Sequence, residues 1–144
     1  IFLYPHSERQ TRAFLDMAMG PDWNGFVIAH RETEEYLGQI DFTQLDSKNG
    51  WGELGMVIGD KNARGQGFGR EALELFLCFG FGELRLNRIQ LVCWEDNTRA
   101  RRAYTAVGFI EEGCRRQKWF RSGRYHNEIQ YGILVEDWLK EVKS

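Results

Sequence analysis

Residues 53 to 69 read ELGMVIGDKNARGQGFG, and this stretch joins a predicted strand to a predicted helix. The strand covers Trp51 to Ile58, and the helix covers Gly67 to Glu83, where apolar residues recur at helical spacing. Gly65, Gly67 and Gly69 stand at alternate positions just before the helix, where they permit unusual backbone angles and close approach of a ligand. Because a helix begins with unpaired N–H groups and the positive end of its dipole, this junction predicts an anion site, most naturally for phosphate or pyrophosphate.

The glycine spacing distinguishes this junction from two common phosphate-binding motifs. A nucleoside-triphosphate P-loop needs Lys followed by Ser or Thr after its glycines, and neither pair follows here. A dinucleotide fingerprint needs Gly-x-Gly-x-x-Gly in a strand–helix–strand unit with an acidic ribose partner, whereas these glycines simply alternate. From the glycines alone, a turn without any ligand remains an open alternative.

The rest of the chain predicts one mixed α+β domain over residues 1–144. Three successive strands form a predicted antiparallel meander, and the strand–helix–strand unit that follows within this antiparallel frame indicates a mixed sheet. The further predicted helices are Ser7 to Met19 and Asn97 to Val107, and the further predicted strands are Phe26 to Ala29, Tyr36 to Leu45, Arg88 to Trp94, Phe109 to Trp119 and Tyr125 to Leu134. The last two strands are joined by a predicted turn at Phe120 to Arg124.

Composition excludes several classes of protein. The 144 residues carry 19 basic and 21 acidic side chains, whereas proteins that bind duplex DNA are usually basic. No apolar run reaches the roughly 18 residues that a membrane-spanning helix needs. The three cysteines, Cys78, Cys93 and Cys114, contain no Cys-x-x-Cys pair, which predicts reduced thiols, no metal site and a cytoplasmic location.

Two motifs, at the expected separation, resemble those of the GNAT superfamily of N-acetyltransferases. The first is Arg64-x-x-Gly67-x-Gly69, which matches the Gln/Arg-x-x-Gly-x-Gly/Ala signature of that family. The second is Asn97-x-x-Ala100-x-x-x-Tyr104-x-x-x-Gly108-Phe109, which resembles its Asn…Ala…Tyr…Gly-Phe stretch. Glu112-Gly113 and the segment from Trp119 to Tyr125 resemble the branch that acetylates ribosomal-protein N-termini, spermidine or spermine. The resemblance extends over residues 5 to 138.

The resemblance implies a central mixed, mainly antiparallel sheet, flanked by helices, in which one pair of strands splays apart. It implies acetyl-coenzyme A as co-substrate and no metal. In this family a strand and a helix normally precede the helix predicted at Ser7 to Met19, and only Ile1 to His6 precede it here. We therefore expect the first strand to be missing and the domain to be incomplete at its N-terminus.

The resemblance also assigns the groups that hold the co-substrate. The strand edge at Met56, Val57 and Ile58 pairs with the pantetheine amide, in the manner of an added strand. Asn97 bonds the pantetheine arm, although asparagine is equally suited to cap the helix that begins there. The backbone that holds the pyrophosphate comprises Arg64, Gly65, Gln66, Gly67, Phe68 and Gly69. We expect Gly67→Val to abolish binding of acetyl-coenzyme A, measured by calorimetry, without unfolding the protein.

The same resemblance assigns catalytic roles for direct attack through a tetrahedral intermediate. A backbone N–H near Val57 stabilises the oxyanion, a contribution of about 3–4 kcal/mol. Tyr104 protonates the leaving thiolate, and it lies seven residues after Asn97, on nearly the same face of the helix. The base is Glu53 or Glu95 acting through water, and an ordered water chain without a single base is the alternative.

The predicted acceptor is a primary amine, either a protein N-terminus, a polyamine or another small amine, and a homodimer is possible. Glu32, Glu34, Glu35 and Asp41 would suit a cationic acceptor, although an acidic turn is commonly just solvated surface. Two alternatives remain open: a non-catalytic acyl-coenzyme A-binding module of the same fold, and an acetyltransferase that modifies antibiotics.

Overall fold

The computed structural model describes residues 2–3, 25–29, 32–33, 36–58 and 68–143. Its strands are β1 (Phe2–Leu3), β2 (Gly25–Ala29), β3 (Tyr36–Asp46), β4 (Trp51–Ile58), β5 (Arg88–Trp94), β6 (Ile110–Arg121) and β7 (Arg124–Leu134). Its helices are α1 (Phe68–Cys78), α2 (Thr98–Val107) and α3 (Val135–Lys143), and a π-helical segment (Phe79–Glu83) continues α1. The helix predicted at Ser7 to Met19 lies outside the described residues.

The seven strands form one sheet in the order β1-β2-β3-β4-β5-β7-β6. Every neighbouring pair is antiparallel except β4 and β5, which are parallel. Parallel neighbours need a crossover connection, and α1 lies in the connection between these two. The predicted mixed, mainly antiparallel sheet with its meander is therefore confirmed.

The sequence analysis predicts no strand before Ser7, whereas Phe2 and Leu3 form a short strand, β1. Phe2 lies opposite Ala29 and Leu3 opposite Ile28, so β1 extends the sheet beyond β2. A strand of two residues is too short to show an alternating apolar pattern. Its pairing with β2, rather than any local signal in its own sequence, defines it as a strand.

The structure differs most from the predicted elements in three places. The predicted helix to Glu83 is α-helical only to Cys78, and Leu84 donates a π-type bond from its N–H to the carbonyl of Phe79 at 3.1 Å. The predicted turn at Phe120 to Arg124 is only Ser122-Gly123, with φ of 57° and 78°. These angles are typical of the two-residue hairpin turn that matches the twist of its strands.

The third difference is α3, which the sequence analysis did not predict. A carboxylate oxygen of Asp137 accepts a bond from the Leu134 N–H at 3.1 Å, which satisfies a donor that the start of the helix leaves free. Trp138 of this helix packs against Phe81, with ring centroids 5.3 Å apart. The helix therefore covers the end of the π-helical segment.

The core lies between α1 and one face of the sheet, to which β3 and β5 contribute buried side chains. Leu73, Phe76 and Leu77 of α1 are buried, as their helical spacing predicts. Phe76 packs on Phe42 of β3, with ring centroids 4.6 Å apart. This packing fixes the helix beneath the central strands, at the point where β4 and β5 begin to diverge.

Candidate active site

Strands β4 and β5 separate halfway along their length. Their pairing covers only Trp51 with Arg88, Gly52 with Ile89 and Glu53 with Gln90. Beyond that point β4 stays paired with β3 as far as Ile58, and β5 stays paired with β7 as far as Trp94. Each strand follows its outer neighbour, so a gap opens between them. The predicted splayed strand pair is confirmed.

A cavity of about 420 Å³ occupies this gap. Four residues to which the sequence analysis gives catalytic or co-substrate-binding roles, Glu53, Met56, Val57 and Tyr104, line it. Its walls come from β3, β4, β5 and α2, and the other lining residues are Gln39, Asp41, Thr43, Leu54, Gly55, Leu91 and Val92. The fold thus brings together one phenol, two carboxylates and the edge of a strand.

Tyr104 forms the buried wall of the cavity, with only 7% of its surface exposed. Its ring packs against Phe109 at 6.0 Å and Tyr131 at 5.7 Å between centroids. Burial, with smaller contributions from Cys93 and Tyr131, raises the pKa of Tyr104 to about 12. At neutral pH the phenol therefore keeps its proton, the state that a general acid requires.

Arg101 links α2 by hydrogen bonds to Tyr131, against which Tyr104 packs, and to the end of β5. Its Nε donates to the Tyr131 hydroxyl at 2.9 Å, and a second nitrogen donates to the carbonyl oxygen of Glu95 at 3.0 Å. Cys93, also beside Tyr104, is buried, and this burial raises the pKa of its thiol to about 11. The thiol is therefore protonated at neutral pH and is not a nucleophile.

The two carboxylates considered as bases lie in different places. Glu53 lines the cavity, and its Oε1 accepts a bond from Nε2 of Gln90 at 3.1 Å. Glu95 is exposed, does not line the cavity, and accepts a bond from Nδ2 of Asn127 at 2.8 Å. Of these two carboxylates, Glu53 is therefore the one that lies in the cavity.

Asp41 is a second cavity carboxylate, which the sequence analysis had grouped with an acidic turn. It lies opposite Gly55 in the β3–β4 pairing, and burial raises the pKa of its carboxyl group. The alternation of Gln39, Asp41 and Thr43 along one strand could have placed it on the same face as its polar neighbours. Glu32 is exposed, and Glu34 and Glu35 lie outside the described residues.

Asn97 caps α2. Its side-chain oxygen accepts a bond from the Ala100 N–H at 3.3 Å, and Gly108, with φ of 110°, ends the same helix as predicted. The cap does not test whether Asn97 also contacts a pantetheine arm, so that role stays a prediction.

The glycine-rich junction lies mostly outside the described residues. Arg64, Gly65, Gln66 and Gly67 fall there, whereas Phe68 begins α1 and Gly69 belongs to its first turn. The described part of the helix therefore begins within the glycine-rich segment, one residue after the predicted start at Gly67. The assignment of this backbone to a pyrophosphate stays a prediction.

Three further observations concern metals, thiols and membranes. Within the described ranges no three His, Cys, Asp or Glu side chains form a group that could hold a metal ion. The three cysteines are unpaired, as predicted. No helix among the described residues is long and apolar enough to cross a membrane.

The sheet with its splayed strands and the cavity at the splay define an acetyltransferase of the GNAT class. A family profile described as "Acetyltransferase (GNAT) domain" matches residues 2–110, so the chain belongs to this family. The uncharacterized N-acetyltransferase p20 of Bacillus licheniformis is 30% identical over 123 residues, which cover 85% of this chain and 68% of that protein. The putative ribosomal N-acetyltransferase YdaF of Bacillus subtilis is 29% identical over 84% of this chain and 69% of its own length.

Relatives of a second kind are named for spermidine. The spermidine N(1)-acetyltransferase of Escherichia coli is 26% identical over 76% of this chain and 59% of its own length. The solved structure of the Vibrio cholerae spermidine N-acetyltransferase in complex with CoA and spermine superposes with a TM-score of 0.78. That match covers 92% of this chain and 78% of the other at 23% identity, so it supports the fold alone.

Proposed function

We propose that this enzyme transfers the acetyl group of acetyl-coenzyme A to a primary amine that is positively charged in solution. The observation that carries the proposal is the cavity at the splay, which is lined by a buried, protonated Tyr104 and by two carboxylates, Glu53 and Asp41. The cavity can therefore donate a proton from Tyr104, and it can bind a cation and accept a proton at its carboxylates.

The residues around the gap fit acetyl-coenzyme A. Among the described residues, β4 has no ladder partner on its β5 side beyond Glu53, so the edge at Met56, Val57 and Ile58 can bond an amide-containing arm. The side chain of Val57 is 58% exposed, which leaves that edge accessible. The backbone from Arg64 to Gly69 would hold the pyrophosphate at the start of α1. When bound, acetyl-coenzyme A supplies the acetyl group as a thioester.

Two groups of the chain stabilise charge that develops on the thioester side. The backbone N–H of Val57 donates to the oxygen on which negative charge develops, and one such donor is worth about 3–4 kcal/mol. Tyr104 gives its proton to the departing thiolate, and the second proton that the attacking nitrogen loses restores the phenol. At neutral pH the phenol holds its proton, so the proton is present when the thiolate leaves.

Two other groups act on the amine. A lysine-like ammonium has a pKa of about 10.4, so it must lose a proton before it can attack. Glu53 receives that proton, through a water molecule in the cavity. Asp41, whose pKa is raised by burial, binds the cationic amine on the same side of the cavity.

A polyamine fits this cavity better than a neutral acceptor does. Two carboxylates in a partly enclosed space attract a polycation, because charge attraction is stronger where water is partly excluded. Several relatives are named spermidine acetyltransferases, whereas another is named a putative ribosomal N-acetyltransferase. Both acceptors are primary amines. A cytoplasmic location and a homodimer accompany the proposal as predictions.

A thiol-release assay with three amines tests the proposal. We expect acetyl transfer to spermidine to exceed transfer to a peptide starting with alanine, and both to exceed transfer to an aminoglycoside. Calorimetry with acetyl-coenzyme A, on the wild type and on Gly67→Val, runs in parallel. Normal binding of acetyl-coenzyme A without thiol release for any amine would favour the non-catalytic module, and efficient aminoglycoside acetylation would favour the antibiotic-modifying enzyme.

A further inference from the structure

A row of polar side chains crosses the sheet from its outer edge to the cavity. It begins at Glu112 on β6, passes over β7 at Gly132, continues through Arg88 and Gln90 on β5, and ends at Glu53 on β4. We infer that Gln90 and Arg88 are positioning residues that fix the Glu53 carboxylate toward the amine, and that Gly132 provides the passage through which Glu112 holds Arg88. This inference rests on the proposed function, because Glu53 is the base only if an amine is acetylated.

The contacts form a continuous chain. Two guanidinium nitrogens of Arg88 donate to the two carboxylate oxygens of Glu112, one of them at 2.9 Å. Nε of Arg88 donates to Oε1 of Gln90 at 3.0 Å. Nε2 of Gln90 donates to Oε1 of Glu53 at 3.1 Å. Bidentate pairing fixes the plane of the guanidinium and hence the direction of its remaining N–H.

The direction of the chain follows from the chemistry of its members. Arginine has only donors, so the atom of Gln90 that faces Nε of Arg88 must be the amide oxygen. The amide nitrogen must then face Glu53, which accepts its hydrogen. Arg88 therefore sets the orientation of the Gln90 amide, and a reversed amide would place two oxygens opposite each other at Glu53.

The place where the chain ends gives it a role in the reaction. Glu53 and Gln90 are the last pair before β4 and β5 separate, so the bond is made at the edge of the cavity. It occupies Oε1, and no described residue donates to Oε2. Oε2 therefore remains to accept a proton, from a carboxylate held in one orientation. Fixed orientation of a catalytic group lowers the barrier, and a displacement of about 1 Å can cost a hundredfold in rate.

Gly132 makes the outer half of the chain possible. A Cβ at this position would lie 2.5 Å from Oε1 and 2.7 Å from Oε2 of Glu112, so only glycine leaves room for the carboxylate. The hydrogen bond from Arg88 lowers the pKa of Glu112, so this carboxylate stays charged at neutral pH. Gly132→Ala would displace the Glu112 carboxylate and so interrupt this series of hydrogen bonds without removing any charge.

A double-mutant cycle separates positioning from mere stabilisation of the sheet. In the wild-type background we expect Gln90→Met to lower kcat roughly tenfold with the KM for acetyl-coenzyme A unchanged. In the Glu53→Gln background the same substitution should have no further effect, because residues that act as one unit are not additive. Gly132→Ala should lower kcat about threefold in the wild type, and it provides a second test should Gln90→Met fail to fold.

A matched control and a second readout complete the design. Gln130→Met changes a glutamine on β7 that takes no part in the chain, and it should leave kcat unchanged. In the apo protein labelled with ¹³C, Gln90→Met and Gly132→Ala should shift the Glu53 carboxyl resonance, whereas Gln130→Met should not. An unshifted resonance would overturn the inference.

The kinetic outcomes distinguish two failures. No acetyl transfer by the wild type to any amine overturns the proposed function itself. Transfer by the wild type, with Gln90→Met equally active or with an equal loss in both backgrounds, overturns only the positioning role. A Glu53→Gln variant with normal kcat overturns the role of Glu53 as base, and with it the positioning role of Gln90 and Arg88.

Discussion

The two halves of the β4–β5 pair are built for different tasks. In the paired half, Gly52 and Ile89 are buried, and Gly52 and Gly80 leave space for the Phe42 and Ile89 side chains. In the splayed half, Val57 and Val92 are exposed, and the strands enclose a cavity with a phenol and two carboxylates. The comparison teaches that one strand pair can provide packing at one end and an open backbone edge at the other, because its outer neighbours diverge.

The largest expected effect is on stability at high pH, and it concerns two buried groups next to the splayed half, the Cys93 thiol and the Tyr104 phenol. The pKa of Cys93 is raised to about 11 and that of Tyr104 to about 12, so above pH 9 the unfolded chain loses protons that the folded protein retains. Stability from these groups is complete below their unfolded pKa values and is lost as pH rises toward the folded ones. We expect a loss of about 3 kcal/mol in the free energy of unfolding by pH 11, measured by urea titration.

Cysteine variants show which group causes this loss. Cys93→Ala should remove much of the decline between pH 9 and pH 11, whereas Cys114→Ala, at an exposed position, should follow the wild type. The same alkaline decline in Cys93→Ala and the wild type would show that the thiol behind the cavity is not responsible.

The next effect is in the paired half. A Cβ on Gly52 would lie 2.7 Å from Cδ1 and 2.8 Å from Cε1 of the Phe42 ring. The ring is buried and cannot easily move, so Gly52→Ala should lower the free energy of unfolding by about 2 kcal/mol. Thermal melting measures this, with Gly82→Ala as the control, because nothing lies within 4 Å of a Cβ there. An unchanged kcat in the folded fraction would support a packing role for the paired half that is separate from catalysis. A normal melting temperature would contradict that packing role.

A smaller effect, in catalysis, belongs to the splayed half. Tyr104→Phe removes the phenolic proton but retains the ring that packs on Phe109 and Tyr131. We expect kcat at neutral pH to fall roughly tenfold, equivalent to about 1.4 kcal/mol, with little change in affinity for acetyl-coenzyme A. Steady-state kinetics and calorimetry measure the two quantities. An unchanged kcat would reduce Tyr104 to an element of the core.

The smallest effect concerns the acceptor side. Asp41→Asn removes one carboxylate from a partly open cavity, where a single charge contact contributes less than about 1 kcal/mol. We expect the KM for spermidine to rise about threefold, while the KM for acetyl-coenzyme A stays the same. The peptide starting with alanine, which carries fewer positive charges, serves as the comparison. An equal change for both acceptors would mean that Asp41 does not recognise charge.

Sequence reasoning was most effective where the pattern is local. The helical spacing of Leu73, Phe76 and Leu77 predicted the buried face of α1, and the turn signals predicted the meander. It was least effective for β1 and α3. The strand β1 has only two residues, and α3 is a nine-residue helix that follows directly after a long strand in the sequence. The π-helical end of α1 depends on contacts around Gly80 that no local pattern records.

The candidate site was partly predicted. Motif positions indicated Tyr104, and strand position indicated Glu53 and Val57, all of which line the cavity. The same reasoning ranked Glu95 beside Glu53, and it left Asp41 in a general acidic group. Only the pairing of β3 with β4, and the separation of β4 from β5, shows which carboxylates share a space.

The sequence by itself determined the order of the elements from the meander to the final hairpin, the glycine-rich start of α1 and the family signature, because these depend on neighbours within a few residues. Tertiary structure decided that two strands separate beyond Glu53, that Tyr104 is buried in the wall of the cavity, and that Arg88 reaches Glu112 across Gly132. These properties depend on distances between residues far apart in the chain. Burial, charge and hydrogen-bond direction at the site are therefore products of the packed sheet.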